Sequence, residues 1–209
     1  MNDFNRAEPS AQASEDRNTL ENQETKAETD NSSDQKNNQS QAGTGDQDEA
    51  FNSMYSGDFQ IALFGIDPKT VMEPVLDVSC GPDPQLVLSL RMAGLDAYGA
   101  DIDAPDYPFT HKASWTSSNF GQNQWGTILS NIGVPEIINA AISDKSEALQ
   151  GLTLAYYNLL GCLKTGGKFI YAPSIPGLEE TIPSELFSVS HEEITPGLER
   201  TVITRLKDF

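Results

Sequence analysis

A chain of 209 residues has room for one domain of ordinary size, and its composition excludes a single packed body over the whole length. The formal net charge of −18, with no stretch that concentrates Lys and Arg, excludes a face that tracks phosphates, so nucleic acid binding is not expected. Cys80 and Cys162 are the only cysteines and have no partnering histidine cluster, which excludes a disulfide framework and a zinc site of familiar spacing.

Residues 1–50 carry 12 acidic and 4 basic side chains. Their only large apolar residues after Met1 are Phe4 and Leu20, too few to offset an ordering entropy of roughly 1–2 kcal/mol per residue. The expectation is a disordered acidic tail, either a variable extension or a docking arm for a protein partner. Asp3, Arg6 and Glu8 stand where a secretory signal would need an apolar run, and no window is long and apolar enough to cross a bilayer. No membrane association and a cytoplasmic location are therefore expected.

The ordered domain is placed at 51–209. Met54, Tyr55, Phe59, Ala62 and Leu63 recur on one side of a helix that Asp67-Pro68 should end. Pro74 to Val78 is a short apolar run of the kind found in a strand buried on both faces. The tight turn Ser79-Cys80-Gly81-Pro82-Asp83-Pro84 follows, with Asp83 suited to cap a helix and Pro84 to its first position. That helix should run to Met92 and stop at Gly94.

Ala97 to Asp103 reads as a second strand ending in acids, and Trp125 to Asn131 contains another. Between Glu136 and Leu163 the pattern is helical, with Leu149, Leu152, Tyr156, Leu159, Leu160 and Leu163 as its apolar stripe before Lys164-Thr165-Gly166-Gly167. Lys168 to Ala172 is the next strand. Leu186–Ser190 and Arg200–Leu206, separated by Thr195-Pro196-Gly197, form an antiparallel ending. This order predicts an open α/β sheet, doubly wound and mostly parallel, with its ligand beyond the carboxyl ends of the strands where the winding reverses.

At the first strand and its turn the sequence resembles the class I S-adenosylmethionine-dependent methyltransferases. Val75-Leu76-Asp77-Val78-Ser79-Cys80-Gly81-Pro82-Asp83 looks like the family's first motif, and Asp101 follows Asp77 by 24 residues as the family's second-strand acid does. Leu163-Lys164-Thr165-Gly166-Gly167-Lys168-Phe169-Ile170 resembles its signature before the fifth strand. The resemblance covers residues 52–209 and implies a seven-stranded Rossmann-like sheet with S-adenosylmethionine as cofactor. A small-residue turn lets the backbone approach a ligand, and a short acid on the neighbouring strand can accept both hydrogen bonds of a ribose diol. The implied cofactor residues are Asp77, Ser79, Cys80 and Gly81 at the turn, Asp101 and Ile102 at the ribose, with Asp103 as the alternative acid. Ser114 and Trp115 are implied at the adenine, and Ser130 after the fourth strand.

The chain departs from the family pattern at Ser79 and Asp83, where glycines are usual. It also departs over Ala104–Lys112, where Pro105 and Pro108 leave no room for the usual helix. A dinucleotide loop would need glycines where Ser79, Gly81 and Pro84 stand, and Pro84 would block close helix packing. Cys80 reads as a packing residue, His111 and His191-Glu192-Glu193 as surface, Trp125 as core, and Tyr55 with Phe59 as either core or a lid. The resemblance implies methyl transfer to a small molecule or a protein side chain. No catalytic residue is assigned, because aligning donor with acceptor is most of the work. The alternative is an inactive methyltransferase-like module that binds or regulates.

Overall fold

The computed structural model describes residues 55–208. The expected acidic tail at 1–50 and Met54 lie outside the described residues.

Helix α1 (Gly57–Phe64) starts at Ser56, whose hydroxyl accepts from the Phe59 N–H, and ends at Gly65 in the left-handed region at φ 60°. The helix stops before Asp67-Pro68 because glycine adopts that conformation without penalty. Its buried face is Gly57, Gln60, Leu63 and Phe64, rotated from the expected stripe so that Ala62 is exposed.

Strand β1 (Val75–Val78) leads into α2 (Gln85–Met92). Asp83 does not cap this helix. Pro84 occupies the cap position with no side-chain bond, and the Asp83 carboxylate instead accepts the Gln85 side-chain amide at 2.8 Å. Strand β2 (Ala97–Asp101) ends at Asp101, so Asp103 lies beyond it.

The connection from β2 contains no helix. Thr110 knits it together, bonding through its hydroxyl to the Pro105 carbonyl and the Tyr107 N–H, and opens a three-residue strand β3 (Thr110–Lys112) that the sequence pattern does not show. Strand β4 (Trp125–Asn131) follows, with the buried Trp125 indole donating to the Phe120 carbonyl at 2.8 Å. The helical pattern over 136–163 is two helices, α3 (Gly133–Ser143) and α4 (Leu149–Cys162), parted where Lys145 takes φ 51°. Strand β5 (Leu163–Ala172) takes in the Lys164–Gly167 stop through a register shift opposite Trp125 and Thr127. The short α5 (Pro176–Glu179) and the hairpin of β6 (Phe187–Thr195) and β7 (Leu198–Arg205) complete the fold.

The seven strands are ordered β3-β2-β1-β4-β5-β7-β6. The first five are parallel, with Asp77 opposite Gly99 on one side and Leu129 on the other, and β7 runs antiparallel to both β5 and β6. One face carries Leu76, Ile128, Tyr156, Leu159 and Phe169; the other carries Leu63, Val75, Leu86, Leu90 and Ile170. The chain leaves β1 toward β2 and β3, then returns to β4 on the opposite side. The winding therefore reverses between β1 and β4, and a crevice opens beyond their carboxyl ends.

His191, read as surface from sequence, is exposed. Its Nε2 donates to Oε2 of the buried Glu179 at 2.7 Å, linking β6 to α5.

Candidate functional site

Beyond the carboxyl ends of β1 and β4 lie two adjoining chambers that share Tyr55, Ser79 and Asn131. The smaller, about 330 Å³, follows the turn after β1 and is bordered by Gln60, Asp77, Cys80 and Gly81. The larger, about 520 Å³, extends past Asp101 and Ile102 to Ser114, Trp115, Gly133 and Ile137.

The turn is held from β2. Ser79 and Cys80 N–H groups donate to the Ala100 carbonyl at 2.8 and 3.3 Å. The Gly81 N–H donates to Asp101 Oδ2 at 3.1 Å, and Asp103 N–H to Asp101 Oδ1 at 2.8 Å. Each oxygen of Asp101 keeps a lone pair for a further donor. Gly81 has φ 70°, and a side chain built there would meet nothing within 4 Å, so the space beside it is open. Pro82 and Asp83 are exposed at the rim.

Backbone strain gathers around this crevice. Ser79 has φ 65° and Ile132 φ 66°, conformations that cost a non-glycine residue on the order of 1–2 kcal/mol. Ser79→Gly should therefore raise stability by about 0.5–1 kcal/mol, because strain relief outweighs the added freedom of the unfolded chain. The urea midpoint measures it, and a lowered midpoint would contradict the strain argument.

The sequence matches no protein-family model and no curated protein. The structure is similar to magnesium protoporphyrin IX methyltransferase from Synechocystis PCC 6803, solved with bound S-adenosylmethionine. The match has a TM-score of 0.52 at 13% identity and covers 81% of this chain and 87% of that one. It is also similar to an O-methyltransferase family protein from Burkholderia thailandensis, with a TM-score of 0.54 at 12% identity, over 77% of this chain and 60% of that one. The chain has the fold of the class I S-adenosylmethionine-dependent methyltransferases.

Within this methyltransferase fold, most residues singled out in the sequence border the crevice. Asp77, Ser79, Cys80 and Gly81 border the smaller chamber, and Asp101, Ile102, Ser114 and Trp115 the larger. Ser130 does not. It is fully buried with its hydroxyl accepting the Val134 N–H at 3.1 Å, so it starts α3, and the next residue, Asn131, borders both chambers. A strand buried on both faces conceals which of two successive residues turns outward. Tyr55 borders both chambers, held by the Gln60 side-chain amide donating to its carbonyl at 2.8 Å. Gln60 carried no signal in the sequence beyond its helical position. His111 lies on the edge strand β3, stacked on Tyr98, and borders neither chamber.

The electrostatics are one-sided. Asp77, Asp83, Asp101, Asp103 and Glu136 border the chambers, and among the described residues no Lys, Arg or His does. Burial, then the charges of Asp77 and Asp101, push the Cys80 thiol pKa up, so it stays protonated and is no nucleophile. Burial, then the Asp101 carboxylate, push Asp77 up to about 8. Among the described residues no helix is long and apolar enough to cross a membrane.

Proposed function

We propose that the protein is a methyltransferase that binds S-adenosylmethionine in the paired chambers and delivers the methyl group to a small molecule or a protein side chain. The observation that carries this reading is the open crevice beside Gly81, with Asp101 fastening the turn and Asp83 bonded outward to Gln85 rather than filling the space. The residues present fit the cofactor. Asp101 would accept a ribose diol while still holding Gly81, Ile102 would offer an apolar surface to adenine beside Trp115, and the turn would follow the methionine end.

The bound cofactor would supply a methyl group already activated on sulfur. The chain's own task is alignment and exclusion of water, which can supply several kcal/mol. Tyr55 and Asn131, common to both chambers, stand where an acceptor would approach. With carboxylates the only charged groups around the mouth among the described residues, a polyanionic acceptor such as nucleic acid is disfavoured. A neutral or cationic nucleophile suits the field. Two free cysteines accord with a cytoplasmic setting.

Calorimetric titration with S-adenosylmethionine and its demethylated product tests the reading. The wild type should bind in the micromolar range, and an Asp101→Ala variant shown by melting to be folded should lose at least tenfold. No detectable binding by the wild type would overturn the cofactor assignment and leave a protein-binding module as the surviving account.

A further inference from the structure

Strand alternation puts Asp77 on the same face of β1 as Val75, toward the side covered by α1 and α2. The residue is 3% exposed, and no hydrogen-bond donor among the described residues meets its carboxyl group. What surface it keeps opens into the smaller chamber. The titratable groups facing it are the Asp101 carboxyl from β2 and the Cys80 thiol from the turn, with Tyr55 and Asp83 across the chamber. Helix α1 contributes the neutral Gln60 and β4 the neutral Asn131. A buried carboxylate beside another carboxylate, with no cation and no donor among the described residues, is an unfavourable charge that a proton removes.

We propose that the ligand-free protein holds a proton on Asp77 and releases it to solvent when a ligand's ammonium group enters this chamber, so that cofactor affinity is tied to pH. The inference rests on the cofactor reading above. The incoming ammonium brings the countercharge and the donors that the chamber lacks, and the ionised carboxylate accepts them. The positive charge of the ammonium takes the place of the departing proton's. By linkage, affinity rises about tenfold per pH unit from pH 6 and levels off near 8, where the free protein already ionises Asp77. A ligand that lacks a cation leaves the proton in place, and its affinity should not follow this pH dependence.

The proton count is measurable without turnover. S-adenosylhomocysteine is titrated into the protein at pH 6.5, where its amino group is almost wholly protonated, in two buffers of different ionisation enthalpy. The difference in heat should correspond to release of about one proton per ligand in the wild type, and to nearly none in Asp77→Asn. 5′-Methylthioadenosine, which has the nucleoside and thioether but no amino group, should bind with no release. Binding of S-adenosylhomocysteine with heat independent of buffer would overturn the proposal and leave the cofactor reading intact. Full release retained in Asp77→Asn, or an equal release with 5′-methylthioadenosine, would also overturn it, by removing Asp77 or the ammonium from the linkage. No binding in any buffer would overturn both readings.

Discussion

Glu179→Ala should lower the unfolding free energy by about 3–5 kcal/mol, the loss typical of breaking a buried hydrogen-bonded charge network. The Glu179 side chain is 3% exposed and ties three elements together. Its Oε1 accepts from the Tyr171 hydroxyl at 2.6 Å, the Ile175 N–H at 2.7 Å and the Thr201 hydroxyl at 2.8 Å, while Oε2 takes His191. The Tyr156 and Tyr171 hydroxyls lie 2.9 Å apart and extend the chain of bonds into the core. Alanine would leave three buried donors unsatisfied, each worth about 1–3 kcal/mol, and such losses in one network do not add in full. Burial alone would raise the Glu179 pKa, but the bonds donated by Tyr171, the Ile175 N–H, His191 and Thr201 hold it below the ordinary value of 4.5. A lowered folded-state value contributes stability that is present above pH 4.5 and lost as pH falls from there through the folded-state value. The deficit of the alanine variant should therefore be full at pH 7 and shrink in acid, as urea unfolding at pH 7 and pH 3.5 would show. Equal midpoints for the two proteins at pH 7 would mean that the network does not stabilise the fold.

That network was not legible in the sequence, and the reason is physical. It depends on Tyr171 lying opposite Thr201 in the β5–β7 register and on α5 folding back beneath them, neither of which leaves a periodic trace. The three-residue β3 is hidden similarly, since two of its residues are exposed and pattern cannot distinguish it from a loop. Helix α2 shows propensity overridden: Asp83 is a good cap residue, yet Pro84 takes the cap position and Asp83 bonds to the Gln85 side chain. By contrast β1, its turn and the acid ending β2 were legible, because a four-residue apolar run, a tight turn and a helix follow one another within eighteen residues. Of the crevice, Asp77, Gly81 and Asp101 could be read from that local pattern. Asn131 could be read only as one of the Ser130-Asn131 pair after the fourth strand, and Gln60 not at all, because it borders the crevice through the way α1 packs.

Asp77→Asn should make the ligand-free protein more stable at neutral pH, which is the reverse of what loss of a well-placed buried residue does. Burial and the neighbouring Asp101 raise the folded-state value to about 8 from an ordinary 3.8. A raised folded-state pKa contributes stability that is fully present below 3.8, declines as pH rises at about 1.4 kcal/mol per unit, and levels off above about 8. Asparagine has no such slope. Its amide brings a buried donor that lacks a partner, at a cost of about 1–3 kcal/mol, so the two proteins should be close or inverted near pH 5. By pH 7 to 8 the variant should lead by roughly 2 kcal/mol, after allowance for relaxation around an ionised Asp77. Urea unfolding at pH 5, 6, 7 and 8 checks this, and parallel curves would show that Asp77 is not held protonated. Saturating S-adenosylhomocysteine should then reverse the order, because the wild type gains the ammonium contact that the variant cannot make. An acid that destabilises the empty fold and is relieved by a cationic ligand is retained for binding, which is why the stability of this residue and its affinity must be measured on the same pair of proteins.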